Sequence, residues 1–136
     1  MSSYANGCMT VVLPEENIGE FERYFDQENE NSFLNTEITL TDSEPSGVGG
    51  YKFRAYDISC NTSVEACMLN SDNNIRDICK KLSVKLLSVD VVNEEEHFNE
   101  SIRFDKGYGR CTYTSESLFD SNVSYEIKEK SEAEAE

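Results

Sequence analysis

Three kinds of residue in this chain have the chemistry to act: one histidine, five cysteines and twenty-seven carboxylates. A hydrolase or transferase of the nucleophile type needs a Ser, Cys or Thr beside a base. His97 is the only histidine, and it follows Glu94, Glu95 and Glu96 in a turn-like stretch rich in charge. No local pattern joins it to a cysteine. A surface histidine without a role is the simpler reading, and the protein is expected not to be an enzyme. Cys8, Cys60, Cys67, Cys79 and Cys111 are odd in number and show no paired spacing, as expected of free thiols in a reducing compartment. Cys60 and Cys67 lack the close C-x₂-C knuckle of structural zinc sites. Cys79 falls on an apolar helical stripe, where a thiol serves as a small hydrophobe. Glu94, Glu95, Glu96 and Glu100 offer oxygens to a hard cation, without the spacing of a calcium loop. The GVGG and GYG stretches lack the following helix with Lys and Ser/Thr that a phosphate loop requires, and read as turns. No metal and no cofactor are expected.

The carboxylates themselves are the remaining chemistry. Twenty-seven acidic residues against twelve basic ones leave a formal charge of -15. That excess opposes phosphate backbones and anionic lipid, and it makes basic protein surfaces the natural partners. Two clusters stand out. One comprises Glu15, Glu16, Glu20, Glu22 and Asp26, continuing to Glu28 and Glu30; the other comprises Asp90 with Glu94, Glu95, Glu96 and Glu100, and both are expected to contact a partner. An aromatic set, Tyr51, Phe53 and Tyr56, lies on a strand-like segment and could stack bases as many sheets do. The cations needed to hold a nucleic-acid backbone are outnumbered, so direct nucleic-acid binding is not expected. The plain alternative is that the acids only keep a globular protein solvated.

These residues must be positioned by a single domain, since 136 residues form one core of ordinary size. No apolar run approaches the length of a membrane span, and the N-terminus has no charged-then-apolar leader, so an intracellular, cytoplasmic protein is expected. The Asn-x-Ser triplets at Asn61, Asn99 and Asn122 are then incidental. Cys8 to Leu13 reads as a strand with apolar residues on both faces, stopped by Pro14. Ile18, Phe21 and Phe25 recur at helical spacing, which predicts a helix from Glu15 to about Gln27. Leu34 to Leu40 alternates as a half-buried strand; Asp42 to Gly50 reads as a loop; Tyr51 to Cys60 reads as a third strand. In that third strand Tyr51, Phe53 and Ala55 share one face, and Lys52, Arg54 and Tyr56 share the other. Ser71 or Asp72 is placed to cap a second helix with the stripe Ile75, Ile78, Cys79 and Leu82. Val84 to Val92 reads as a central strand, Asn93 to His97 as a turn, and Phe98, Ile102 and Phe104 as one face of another strand. Glu100 shares that apolar face, so either the face is open or the register differs.

The expected fold is therefore α+β, a ferredoxin-like βαββαβ arrangement with two helices on one face of an antiparallel sheet. Weak strands are expected around Arg110 to Thr114 and Val123 to Ile127, giving one domain over residues 1–128 and an acidic mobile tail over 129–136. The opening YANGCMTVVLPEE (Tyr4 to Glu16), the aromatic strand Tyr51 to Cys60, the second helix and the strand pair ending near Phe104 and Gly107 resemble YubB-like ferredoxin-like domains of phage and plasmid proteins. The likeness spans residues 3 to 108. Ser63 to Cys67 (SVEAC) stands where that family has a tryptophan and paired prolines. The resemblance implies a fold and a mobile-element origin, and it carries over no catalytic residues.

Two functions follow as expectations. The first is an acidic binding protein of a phage or mobile element, anti-CRISPR-like, whose surface mimics nucleic acid and blocks a nucleic-acid-handling host defence complex. The second is an accessory module that binds a protein or ligand through Tyr51, Phe53 and Tyr56 on its sheet.

Overall fold

A computed structural model describes residues 3–30, 32–33, 35–47, 49–69 and 74–128. The predicted cap at Ser71 or Asp72, the start of the second strand at Leu34 and the tail over residues 129–136 lie outside the described residues. Seven strands form one sheet: β1 (Tyr4–Pro14), β2 (Thr36–Pro45), β3 (Tyr51–Asn61), β4 (Leu86–Asn93), β5 (Phe98–Asp105), β6 (Arg110–Ser117) and β7 (Val123–Glu126). Their spatial order is β2-β3-β1-β4-β5-β6-β7, with every neighbouring pair antiparallel. Two short helices, α1 (Ile18–Arg23) and α2 (Ile75–Lys81), join a 3-10 turn at Glu15–Asn17 and a π-helical turn at Glu65–Leu69.

The ferredoxin-like α+β reading is corrected by this architecture. The protein is mostly β, a seven-stranded antiparallel sheet in which helix is a minor component. Two causes act together. The period-two alternation does not stop near Phe104 but resumes in β6, so the hairpins after β4 extend the sheet itself. The helices, in turn, stay short. The predicted helix from Glu15 to Gln27 starts as a 3-10 turn and ends at Arg23, where Tyr24, Phe25 and Asp26 bond back to the carbonyls of Phe21, Glu22 and Arg23 in tight three-residue steps. α2 is seven residues long and is capped by Asn74, whose Oδ1 accepts from the Arg76 amide at 2.8 Å.

One face of the sheet is buried and the other is open, as antiparallel sheets allow. The buried face presents Ala5, Met9, Val11 and Leu13 from β1, Tyr56, Ile58 and Cys60 from β3, and Leu87, Val89 and Val91 from β4. The stripe Ile75, Ile78, Cys79 and Leu82 packs into this core, and so does an aromatic group of Phe21, Tyr24, Phe25 and Phe33 with ring centroids 5.3–6.1 Å apart. Gly7 interrupts the apolar series of β1 for a steric reason: a Cβ there would lie 1.8 Å from the backbone oxygen of Asp90. The predicted loop from Asp42 to Gly50 is also corrected. β2 runs on to Pro45 through an irregularity between Leu40 and Asp42, and the connection is only the turn that follows. Among the described residues, no helix is long and apolar enough to cross a membrane.

Candidate functional site

The two turns at one end of the sheet, β4–β5 and β6–β7, meet across the ends of β5 and β6. Asn93 builds the first. It is buried, its Oδ1 accepts from the Glu96 amide at 2.9 Å, and its Nδ2 donates to the Thr62 carbonyl at 2.8 Å and to Ser3 Oγ at 3.1 Å. His97 closes the turn in the left-handed region, with φ of 57°. Ser117 builds the second turn: its Oγ accepts from the amides of Phe119 and Asp120, each at 3.2 Å. The Leu118 amide donates to the His97 carbonyl at 3.2 Å, and the His97 and Phe119 rings meet edge-on at 5.3 Å.

The result is a braced tip with a mixed surface. Glu94, Glu95, Glu96, Glu116 and Asp120 are exposed, and among the described residues none of them has an ion pair. Between them stand Leu118 and Phe119, 79% and 75% exposed. A shallow cavity of about 630 Å³ beside them is lined by Glu94, His97, Phe98, Glu116, Leu118 and Asn122, among others. Large apolar side chains left this open and rimmed by charge mark an interaction surface more often than a neutral one. Sequence reasoning found Glu94, Glu95 and Glu96 but missed Leu118, Phe119, Glu116 and Asp120. Their only sequence signal is an apolar pair inside a polar turn, LFDSN.

The other predicted residues do not join this tip. Glu15, Glu20 and Glu22 are spent locally: Glu15 pairs with Lys52 at 3.3 Å, Glu20 with Lys81 at 3.6 Å, and Glu22 with Arg54 at 3.0 Å. Asp26 accepts from the Glu28 amide, and Glu16 is exposed within the 3-10 turn at the opposite end of the sheet. Asp90 lies on the open face and pairs with Arg103 at 2.8 Å. The aromatic trio is divided by the pleat. Tyr51 and Phe53 are half-buried on the open face, whereas Tyr56 is 1% exposed and donates from its hydroxyl to Glu22 at 2.8 Å. Burial first, then Glu22, pushes the Tyr56 phenol well above its ordinary range. Tyr56 therefore cannot contact a partner, and that expectation is corrected.

Glu100 is corrected in the same way, and it resolves the conflict in β5. Its register is as read and its face is closed, with the residue 3% exposed and both carboxylate oxygens hydrogen-bonded. Oε1 accepts from the Val64 amide at 3.0 Å; Oε2 accepts from the Glu65 amide at 3.3 Å and from the Tyr113 hydroxyl at 2.6 Å. Glu100 thus anchors the chain just before the π-helical turn to the middle of the sheet. Burial nonetheless holds its pKa above the carboxylate norm, and burial followed by Glu100 pushes Tyr113 well up.

All five cysteines are free thiols, with Cys8 exposed and the other four buried. Cys67 donates to the Asn61 carbonyl at 3.3 Å, and a hydrogen bond with Cys60 lowers its pKa against the opposing effect of burial. Among the described residues, no group of three His, Cys, Asp or Glu is placed to hold a metal ion. Comparison of the chain with family models, with curated proteins and with solved structures finds no match.

Proposed function

We propose that this protein is a non-enzymatic binder that inhibits a nucleic-acid-handling host defence complex by seating its acidic tip in a basic groove. The observation that carries the reading is the pairing of unneutralised carboxylates, Glu94 to Glu96, with the bare side chains of Leu118 and Phe119 on one braced turn pair. Carboxylates fixed in this way offer charge-assisted hydrogen bonds to Lys and Arg, and the apolar pair supplies a desolvated anchor at the centre. A net charge of -15 would steer the encounter with a basic partner. A phage or plasmid source, implied by the resemblance to YubB-like domains, and a location in the host cytoplasm belong to the same proposal.

The test is capture of partners from a host lysate at low and high salt, with the wild type beside the triple variant Glu94→Lys, Glu95→Lys, Glu96→Lys. The expected result is a nucleic-acid-binding complex retained by the wild type, lost at high salt, and bound at least about tenfold more weakly by the variant. Capture that ignores both salt and charge reversal would sink the proposal.

A further inference from the structure

The end of β3 and the π-helical turn that follows it bring two of the five thiols together. Cys60 lies on the buried face of β3, in register with Ala5 of β1 and Thr36 of β2. Cys67 follows seven residues later, in the turn at Glu65–Leu69. Its Sγ donates to the Asn61 carbonyl at 3.3 Å and lies 3.9 Å from the Asn35 carbonyl oxygen. Asn61 is the residue after Cys60 and Asn35 the residue before Thr36, so these two oxygens hold the Cys67 sulfur over the Cys60–Thr36 pair. There it shares a hydrogen bond with the Cys60 thiol, and the Thr36 side chain bonds to both sulfurs.

The segment between the two cysteines is built to make this contact. Thr62 has a φ of 69°, in the left-handed region that a β-branched residue rarely adopts, and the chain reverses there over the strand it has just left. Ser63 caps the turn, its Oγ accepting from the Ala66 amide at 3.0 Å, and Glu100 of β5 holds the Val64 and Glu65 amides. A buried thiol that serves only as a small hydrophobe needs no such surroundings. Cys67 is placed among a second thiol, a hydroxyl and two carbonyl oxygens. It is also 4% exposed, whereas Cys60, Cys79 and Cys111 are at 0% and Cys8 lies on the opposite, open face. The shared hydrogen bond lowers the Cys67 thiol and, together with burial, raises Cys60, so Cys67 is the sulfur that ionises first.

We infer that Cys60 and Cys67 form a redox modification site, a dithiol that a peroxide converts to a disulfide fastening the π-helical turn to the end of β3. The Cys67 thiolate attacks one peroxide oxygen, the O–O bond breaks, and a sulfenic acid forms as hydroxide leaves and takes up the proton that Cys67 lost. The Cys60 sulfur then attacks the Cys67 sulfur; the S–O bond breaks, and its oxygen leaves as water with the Cys60 proton. The two thiols lose two electrons between them, and the peroxide is reduced to two waters. Sulfurs already in hydrogen-bonding contact need only side-chain rotation to reach the S–S distance of about 2.05 Å. A peroxide is the class of oxidant that a sulfur this nearly covered admits, because a bulky disulfide cannot approach it. The inference does not depend on the acidic tip.

The experiment exposes the reduced, folded full chain to hydrogen peroxide in modest molar excess, then unfolds it, labels the remaining thiols with a maleimide and maps the peptides by mass spectrometry. The five thiols are expected to take five labels before oxidation and two fewer after it. The lost pair should appear as a peptide linking Cys60 to Cys67, lighter by two hydrogen atoms and restored by dithiothreitol. Cys67→Ser is expected to lose this product entirely, and Cys8→Ser to keep it. The link is read in the wild type, so the result does not hang on the folding of either variant. Retention of all five labels, oxidation of Cys67 to its sulfinic acid with no link, or a link that takes in Cys8, Cys79 or Cys111 in place of this pair would each overturn the inference.

Discussion

The two ends of the sheet differ in how they treat charge. At the tip end, Glu94 to Glu96, Glu116 and Asp120 project without an ion pair among the described residues, and the side chains of Asn93 and Ser117 are used to hold the backbone of the two turns. At the other end, Lys52 pairs with Glu15 and Lys81 with Glu20, while Arg76 ties the segment after β7 to the β5–β6 turn by donating to the Ile127 carbonyl at 2.6 Å and to the Gly109 carbonyl at 3.0 Å. A formal charge of -15 is therefore not a uniform coat. At the tip end the carboxylates of Glu94 to Glu96 are exposed without ion pairs among the described residues, whereas at the other end Glu15, Glu20 and Glu22 are paired with Lys52, Lys81 and Arg54.

The sharpest way to break this contrast is to remove the buried polar support behind the tip. Glu100→Ala would strand the Val64 and Glu65 amides and the Tyr113 hydroxyl, and an unfolding free energy lower by about 3 kcal/mol is expected in urea titration. A loss under about 0.5 kcal/mol would show that the tip does not depend on it. Next in size is the pH dependence. A carboxyl whose pKa is raised on folding is held more tightly with its proton in the folded state, so its contribution is greatest in acid and declines as pH rises through the raised value. The stability of Glu100→Gln should therefore fall less than that of the wild type as pH rises from about 4 to 7; parallel melting curves for the two proteins would refute it. Smallest is the surface itself. Leu118→Ser with Phe119→Ser should change stability by less than about 0.5 kcal/mol, since both side chains already lie in water. A larger loss would mean that they are part of the fold and not a surface held ready.

Much of the strand pattern was legible because burial imposes period two wherever a strand is covered on one face. Tyr51 to Cys60 and Phe98 to Phe104 follow that rule, and the stripe from Ile75 to Leu82 follows the helical period of about 3.6 in the same way. β2 was misjudged beyond Leu40 because an outer strand exposed on most sides has no apolar requirement, so TDSEP reads like any loop. The length of α1 was overestimated because Phe25 and Phe33 are held by tertiary aromatic packing and not by helical continuation. At the candidate site, the triple glutamate was visible as composition, but the meeting of His97 with Phe119 depends on two strands lying between their turns. No local signal encodes that. The role of Glu100 was hidden for the same reason: the alternation located it on the buried face, while its three donors arrive from β6 and from the connection after β3.

The position of β1 has a consequence in time. It is the first strand of the chain, yet it lies inside the sheet, where Met9 pairs with Tyr56 on one side and Val89 on the other. Its ladder partners are made long after it is, while β4 to β7 form a run of consecutive hairpins that can close locally. Distant pairings slow folding relative to local hairpins, so the two ladders of β1 are expected to close more slowly than the hairpins from β4 to β7. Gly7 narrows what the site of β1 accepts, because the gap beside Asp90 admits a backbone and no side chain.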